Sequence, residues 1–234
     1  MPAHPTNIEI SIILPCRNEE ESLAICLLNI KEILREQKLT AEIIVSDSSD
    51  DQSATIARQH NVLLIKHNQR GYGRAYLEGF KIATGKFLFL ADPDGTYDFK
   101  EIPQFIDALQ SGNDFVIGNR FAGEIAKGAM PWHHQYIGNP LFSFLVRFLF
   151  KTEIHDVHCG MRAIRKEAID KLNLKTTGME FASEMVIKAI QNGLKIKELP
   201  IDYHKRYGQS KLRSFIDGFR HLKLIMTNLV FKEE

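Results

Sequence analysis

Apolar residues in this chain gather in short runs that alternate with stretches of helical spacing. Residues 8–14, 42–46, 62–65 and 87–90 are such runs, and each gives way to a polar, acidic or glycine-containing loop. Short apolar runs bounded by turn residues read as buried strands. After the first, Leu23, Cys26, Leu27, Ile30, Ile33 and Leu34 recur at the steps of one helix face. Asn18, with Glu21 three residues on, forms a capping box for that helix. Ser53 caps a short helix through His60, and a third helix covers 74–84. Strands and helices in this alternation predict an α/β fold: a Rossmann-like, mostly parallel sheet with helices on both faces.

The second half is less regular. Residues 102–109 and 181–191 read as helices, 114–117 as a strand, and 195–203 as a strand that Pro200 confines to a sheet edge. Residues 141–150 are apolar nearly all round but too short to span a bilayer, so they read as core, with an interfacial segment as the alternative. The chain closes on an amphipathic helix, 215–231. From residue 195 to the end, nine Lys or Arg stand against five Asp or Glu. Its apolar side therefore either packs on the domain or meets an anionic membrane surface.

The chemistry concentrates where the fourth strand ends, at Ala91-Asp92-Pro93-Asp94-Gly95-Thr96. Ligands in open α/β sheets collect beyond the carboxyl ends of the strands. Two carboxylates one residue apart repel unless a cation lies between them, and a hard divalent ion completed by phosphate oxygens suits them. An acidic turn is the plainer reading of the same residues. Gly71-Tyr72-Gly73 is no dinucleotide fingerprint, because Tyr76 stands where a third glycine belongs, and no Walker-type phosphate loop is visible. Any phosphates would be held by the metal and by basic side chains.

Composition narrows the classes. Hydrophobic residues at 44% and charged residues at 25% are those of an ordinary globular domain with a substantial core. A net charge of +1 gives no reason to expect nucleic acid. Three widely spaced cysteines suggest a reducing, cytoplasmic compartment without a disulfide framework. No signal peptide and no apolar stretch of membrane-spanning length is visible, so the expected location is the cytoplasm, with peripheral contact at the cytoplasmic face of a membrane as an extension. His155, His158 and Cys159 lack a second ligand pair at zinc-site spacing, and Cys16 has no base partner to make it a nucleophile.

The ordered set of short motifs resembles the family 2 glycosyltransferases, in the branch of the dolichol-phosphate mannose synthases. The residues that carry the resemblance begin with Ile12-Ile13-Leu14-Pro15, Asn18-Glu19-Glu20 and Ile43-Ile44-Val45-Ser46-Asp47 through Asp51. They continue with Asn68, Arg70 to Ala75, Ala83-Thr84-Gly85, Asp92-Pro93-Asp94 and Gly118-Asn119-Arg120. Asp156, Cys159 to Arg162, Glu184, Glu198-Leu199-Pro200, Arg206, Gly208, Ser210 and Lys211 complete the set. The resemblance implies a GT-A fold in one catalytic domain, 1–210. Its 8–118 half would bind the nucleotide sugar and its 119–210 half the acceptor, with 211–234 as the C-terminal helix.

It also implies roles. Pro15, Arg17, Asn18, Glu19, Asp47, Arg70, Gly71, Gly73 and Asp92 would bind the nucleotide sugar. Asp92 and Asp94 would hold Mg²⁺ or Mn²⁺, with Thr96 where relatives often carry a third ligand. Arg120, Arg206, Ser210 and Lys211 would meet the acceptor phosphate. The implied reaction is inverting transfer of a hexose from a nucleoside-diphosphate sugar, GDP-mannose or a UDP-sugar, to a polyprenyl or dolichyl phosphate. An anionic acceptor needs no general base; a hydroxyl acceptor would call on Glu184 or Asp156. Ser46 and Ser48 replace the acid and glycine usual around the second-strand aspartate. A hydroxyl acceptor, a metal-dependent nucleotidyltransferase, and a binding module that lost its chemistry are the alternatives.

Overall fold

The computed structural model describes residues 8–209, 211 and 214–230. The first half follows the predicted alternation: β1 (Ile10–Cys16), α1 (Leu23–Glu36), β2 (Ala41–Asp47), α2 (Ser53–Gln59), β3 (Leu63–Lys66), α3 (Tyr72–Ile82) and β4 (Phe87–Leu90). A 3₁₀ turn (Phe99–Glu101) leads into α4 (Ile102–Gln110) and β5 (Phe115–Asn119). A π-helical turn (His134–Gly138) precedes α5 (Asn139–Phe150), and then come β6 (Arg162–Arg165), α6 (Lys166–Leu172), α7 (Phe181–Gln191), β7 (Ile196–Pro200) and α8 (Ser214–Val230).

The seven strands form one sheet in the order β3-β2-β1-β4-β6-β5-β7. All neighbours are parallel except β6, which runs antiparallel to both β4 and β5. In β1, consecutive Ile12, Ile13 and Leu14 are fully buried, as a strand covered on both faces requires. β7 lies at the sheet edge and ends at Pro200, which has no N–H to give to a further neighbour. Because β6 inserts between β4 and β5, residues on either side of position 118 share one sheet and one core.

Several local expectations are corrected. The Asn18–Glu21 capping box does not form, because α1 begins only at Leu23. Asn18 instead takes φ +55° and accepts a hydrogen bond at Oδ1 from the Asp50 N–H (2.9 Å). Ser53 is the first residue of α2 rather than its cap, and its hydroxyl accepts from the Glu19 N–H (3.0 Å). α5 is not core all round. Ser143 and Val146 are buried, while Leu141, Phe144 and Phe148 face outward.

α8 is turned against the usual rule. Asp217, His221 and Ile225, spaced four apart, point inward, while Phe215, Ile216, Phe219, Leu222 and Met226 are exposed. Polar bonding explains the inward stripe. His221 Nδ1 lies 2.8 Å from Ser183 Oγ on α7, which in turn lies 3.2 Å from His158 Nε2. His158 Nδ1 reaches Asn139 Oδ1 on α5 at 3.1 Å, and the two imidazole centroids are 4.4 Å apart. One buried polar chain thus ties α5, α7, α8 and the 155–160 loop together.

Burial pushes His221 down to about 4, and burial with its imidazole neighbour holds His158 well below the usual histidine range. A depressed histidine contributes stability above the unfolded value near 6.5 and loses it as pH falls toward the folded value. Urea unfolding is therefore expected to show stability falling from pH 6.5 to pH 4, by on the order of 3 kcal/mol for His221. His221→Gln should flatten that part of the curve.

Candidate active site

The register brings the loops together. Cys16 pairs with Asp47, Asp47 with Lys66, and Ile13 with Leu90, so the carboxyl ends of β1 to β4 share one edge of the sheet. The first loop is sewn to the second. The Asn18 N–H donates to Ser49 Oγ (2.8 Å), and the Glu20 N–H to Asp51 Oδ2 (3.1 Å). Asp47 is fully buried; its Oδ2 meets Lys66 Nζ at 2.7 Å and its Oδ1 accepts from the Ser49 N–H. Arg70 pairs at the surface with Asp50 (3.3 Å). Pro15, Arg17, Asn18, Glu19, Asp47 and Arg70 are thus brought to one rim by the strands that bear them.

Gly71 and Gly73 have a different task. A Cβ on Gly71 would stand 2.2 Å from the Thr177 carbonyl oxygen, and one on Gly73 2.4 Å from that of Thr176. The N–H groups of Gly73 and Arg74 donate to the Gly178 and Thr177 carbonyls. The start of α3 is therefore packed under the 176–178 loop, and these amides are engaged there rather than open to a phosphate. Glu184 anchors the same loop, accepting from the Lys175 and Thr176 N–H groups and from the Thr176 hydroxyl (3.0, 2.8 and 2.5 Å). Both its oxygens are engaged in holding that loop.

Asp92 and Asp94 converge at the tip of β4. Ser22 Oγ donates to the Pro93 carbonyl (2.7 Å), tying this turn to the start of α1. Asp94 Oδ1 accepts from the Thr96 N–H (3.0 Å) and hydroxyl (2.6 Å). Thr96 supports Asp94 with the hydroxyl that the motif offered as a metal ligand. Arg206 forms an ion pair with Asp94 Oδ2, and Lys211 with Glu19 Oε1. The backbone between them is bound as well, the Tyr207 N–H donating to the Asp94 carbonyl (2.8 Å) and the His204 N–H to that of Thr96 (2.9 Å). Residues 204–207 with Lys211 cross the mouth as a strap; Ser210 lies outside the described residues.

Burial first, and then the Asp94 charge, raise Asp92 to about 7, against the pull of Arg206. Burial also lifts Glu19, with Lys211 opposing. Clustered carboxylates under this mutual pressure suit a divalent cation. Among the described residues no group of three or more His, Cys, Asp or Glu is placed to hold an ion alone. The pair instead fits a cation that completes its shell with diphosphate oxygens.

Arg120 is not open to an acceptor phosphate as expected. It is buried and bound bidentately to Asp156, Nε to Oδ2 at 2.7 Å and Nη2 to Oδ1 at 2.8 Å, with its guanidinium 5.2 Å from the Tyr203 ring centroid. Asp156 is fully buried in this pair. All three cysteines are buried, and burial pushes each thiol up to about 12. Motif reading missed Arg162 as a scaffold. Its buried guanidinium donates to the carbonyls of Val157, Cys159 and Ala182 and so shapes the 157–160 loop. A charged residue inside the otherwise apolar 161–164 run was the available signal.

A mostly parallel sheet thus carries a paired-acid turn at its centre with a basic strap across it. Residues 11–172 match Glycosyl transferase family 2, and the chain belongs to that family and is a glycosyltransferase. The low-salt glycan biosynthesis hexosyltransferase Agl6 of Haloferax volcanii is 38% identical over 220 residues, 94% of this chain and 53% of that protein. The chain thus spans about half the length of this relative. The dolichyl-phosphate hexose transferase of the same organism is 32% identical over 213 residues, 90% of this chain and 89% of the relative. Glucosyl-3-phosphoglycerate synthase from Mycobacterium tuberculosis, in complex with Mn²⁺, UDP-glucose and phosphoglyceric acid, superposes with a TM-score of 0.74 at 16% identity, over 95% of this chain and 80% of that one. Mannosyl-3-phosphoglycerate synthase from Rubrobacter xylanophilus gives 0.68 at 18% identity, over 95% and 72%. The fold is GT-A.

Removing one partner of a buried ion pair leaves an uncompensated charge. Asp156→Ala is expected to lower the unfolding free energy by about 3–5 kcal/mol in urea titrations, far more than loss of the exposed Arg70–Asp50 pair.

Proposed function

We propose that this chain moves a hexose from a nucleoside-diphosphate sugar to a polyprenyl phosphate, with inversion, at a site where Asp92 and Asp94 hold Mg²⁺ or Mn²⁺. The carrying observation is the convergence of Asp92, Asp94, Glu19 and Arg206 at the tip of β4 beneath the 204–207 strap. The bound ion would supply Lewis-acid stabilisation of the leaving diphosphate. Pro15, Arg17, Asn18 and Asp47 line the rim that would receive the nucleoside. Arg206 and Lys211, both on the far side of the mouth and both paired with site carboxylates, are the cations available to phosphate oxygens. That the H. volcanii relative bears the name dolichyl-phosphate hexose transferase supports the same acceptor class.

The engagement of the two expected bases also favours it. Glu184 and Asp156, the two candidates for deprotonating a hydroxyl, are both engaged as hydrogen-bond acceptors elsewhere. A phosphate acceptor arrives as an anion and needs neither.

A lipid acceptor is reached at a membrane surface, and the outward side of the molecule suits one. Phe215 is 95% exposed and Phe219 69%, on the helix that follows Lys211, and Phe144 and Phe148 lie outward on the adjoining α5. Arg220 and Lys223 flank Phe215 and Phe219 around a shared surface cleft, a pattern that favours anionic headgroups. No helix among the described residues is long and apolar enough to cross a bilayer.

Asp94→Ala is expected to lower turnover at least about a hundredfold, about 3 kcal/mol of barrier. EDTA should do the same in an assay that follows nucleoside diphosphate release with a short-chain polyprenyl phosphate, and undiminished turnover in either arm sinks the metal role. The chain should co-float with phosphatidylglycerol vesicles and less with phosphatidylcholine ones. Phe215→Ser with Phe219→Ser should weaken that binding by at least tenfold, since each buried phenyl contributes about 1.5–3 kcal/mol. Equal flotation of the variant and the parent protein would discard the surface assignment.

A further inference from the structure

The strap is fixed at both ends and pressed down in its middle. Where it begins, the Tyr203 N–H donates to the Glu124 carbonyl (2.8 Å) and the Ala126 N–H to the Tyr203 carbonyl (2.9 Å). The Tyr203 ring also stands edge-on to Tyr97, 5.6 Å between centroids. At the far end Lys211 Nζ donates to the Asn18 carbonyl (3.1 Å) and pairs with Glu19. Tyr207 lies between these anchors, half exposed.

The Tyr207 ring is seated on Gly95. A Cβ at 95 would stand 2.4 Å from Tyr207 Cδ2 and 2.6 Å from Cε2, so the ring rests directly on the backbone of the acidic turn. Gly95 also takes φ +81°, a conformation that strains any L side chain. A larger residue there would lift the ring. Backbone hydrogen bonds flank the same glycine, from the Tyr207 N–H to the Asp94 carbonyl (2.8 Å) and from the His204 N–H to that of Thr96 (2.9 Å). Directly after Tyr207 the chain turns at Gly208, with φ +68°.

The consequence falls on Arg206. Its side chain is long, rich in rotamers and 27% exposed, so an ion pair with Asp94 confines it only modestly. The seated ring fixes the backbone on which that side chain is mounted. We propose that Tyr207 is a positioning residue for Arg206, its ring clamped on Gly95 so that the guanidinium is set at the acidic turn before an acceptor phosphate arrives. The proposal rests on the phosphate-acceptor reading made above. A cation already in place loses less freedom when it meets a phosphate, and a misplaced one forfeits its hydrogen bond.

Two measurements on the chain test this. Trypsin cleaves after Lys205, Arg206 and Lys211, so mass spectrometry of brief digests reads how firmly the strap is held without any substrate. Tyr207→Ala is expected to speed cleavage at these three positions with little change in melting temperature. The second measurement is steady-state transfer at saturating Mn²⁺, with GDP-mannose or UDP-glucose as donor. Tyr207→Ala should raise the KM for a short-chain polyprenyl phosphate at least about tenfold, the worth of one hydrogen bond to a charged group, with kcat and the donor KM little changed. Tyr207→Phe keeps the ring on Gly95 and should match the parent protein in both measurements. Parental cleavage in Tyr207→Ala, a loss confined to kcat, or an equal loss in Tyr207→Phe overturns the role given to the ring. If the unaltered protein transfers to no polyprenyl phosphate, the acceptor reading fails. The seat is then judged by cleavage alone: faster cleavage of Tyr207→Ala upholds it and equal cleavage overturns it.

Discussion

Two carboxylates one residue apart, at the tip of a strand buried on both faces, repel each other, and much of the surrounding structure serves to hold them there. Burial and the Asp94 charge lift Asp92 to about 7. Thr96 supplies an N–H and a hydroxyl to Asp94, Ser22 binds the Pro93 carbonyl between them, and Arg206 brings a guanidinium from more than a hundred residues away. None of these contacts removes the excess negative charge once Glu19 is included. A site in this condition has room, electrostatically, for a divalent cation and the phosphates that accompany it.

The support extends outward in shells of ordinary bonding. Arg162, buried among the carbonyls of Val157, Cys159 and Ala182, shapes the loop that sets Gly160 against Asp92. Asp156 on that loop holds Arg120, and His158 on it leads through Ser183 to His221 on α8. The same few residues therefore join the acidic turn to the two helices whose aromatic faces are left outward. The proposed membrane-facing surface and the proposed acceptor site would share that loop.

Inward polar residues on α8 carry a physical lesson. A helix of this composition can bury its apolar stripe against a domain, which removes the phenyl groups from water. Here Asp217 and His221 take the inward positions, and His221 bonds the buried Ser183, which in turn meets His158. The phenylalanines are displaced to the outside.

The first 118 residues were legible from the chain alone. Apolar runs of four to seven residues with helical spacing between them specify a parallel sheet wherever they occur, and the acidic turn after 87–90 lies where such sheets bind ligands. The ordered motifs identified the family, and the strands that lead into Arg17, Asn18, Asp47, Asp92 and Asp94 end at one edge of the sheet. Tertiary structure alone decided the rest. β6 has four residues with arginine at each end, too short and too charged to read as a central strand, and only its neighbours make it one. Arg120, Glu184, Gly71 and Gly73 match family positions, yet Asp156 and the 175–178 loop occupy them. Sequence determines which side chains a position can offer; the partners that claim their hydrogen bonds come from distant parts of the chain, and those partners decide which groups remain for chemistry.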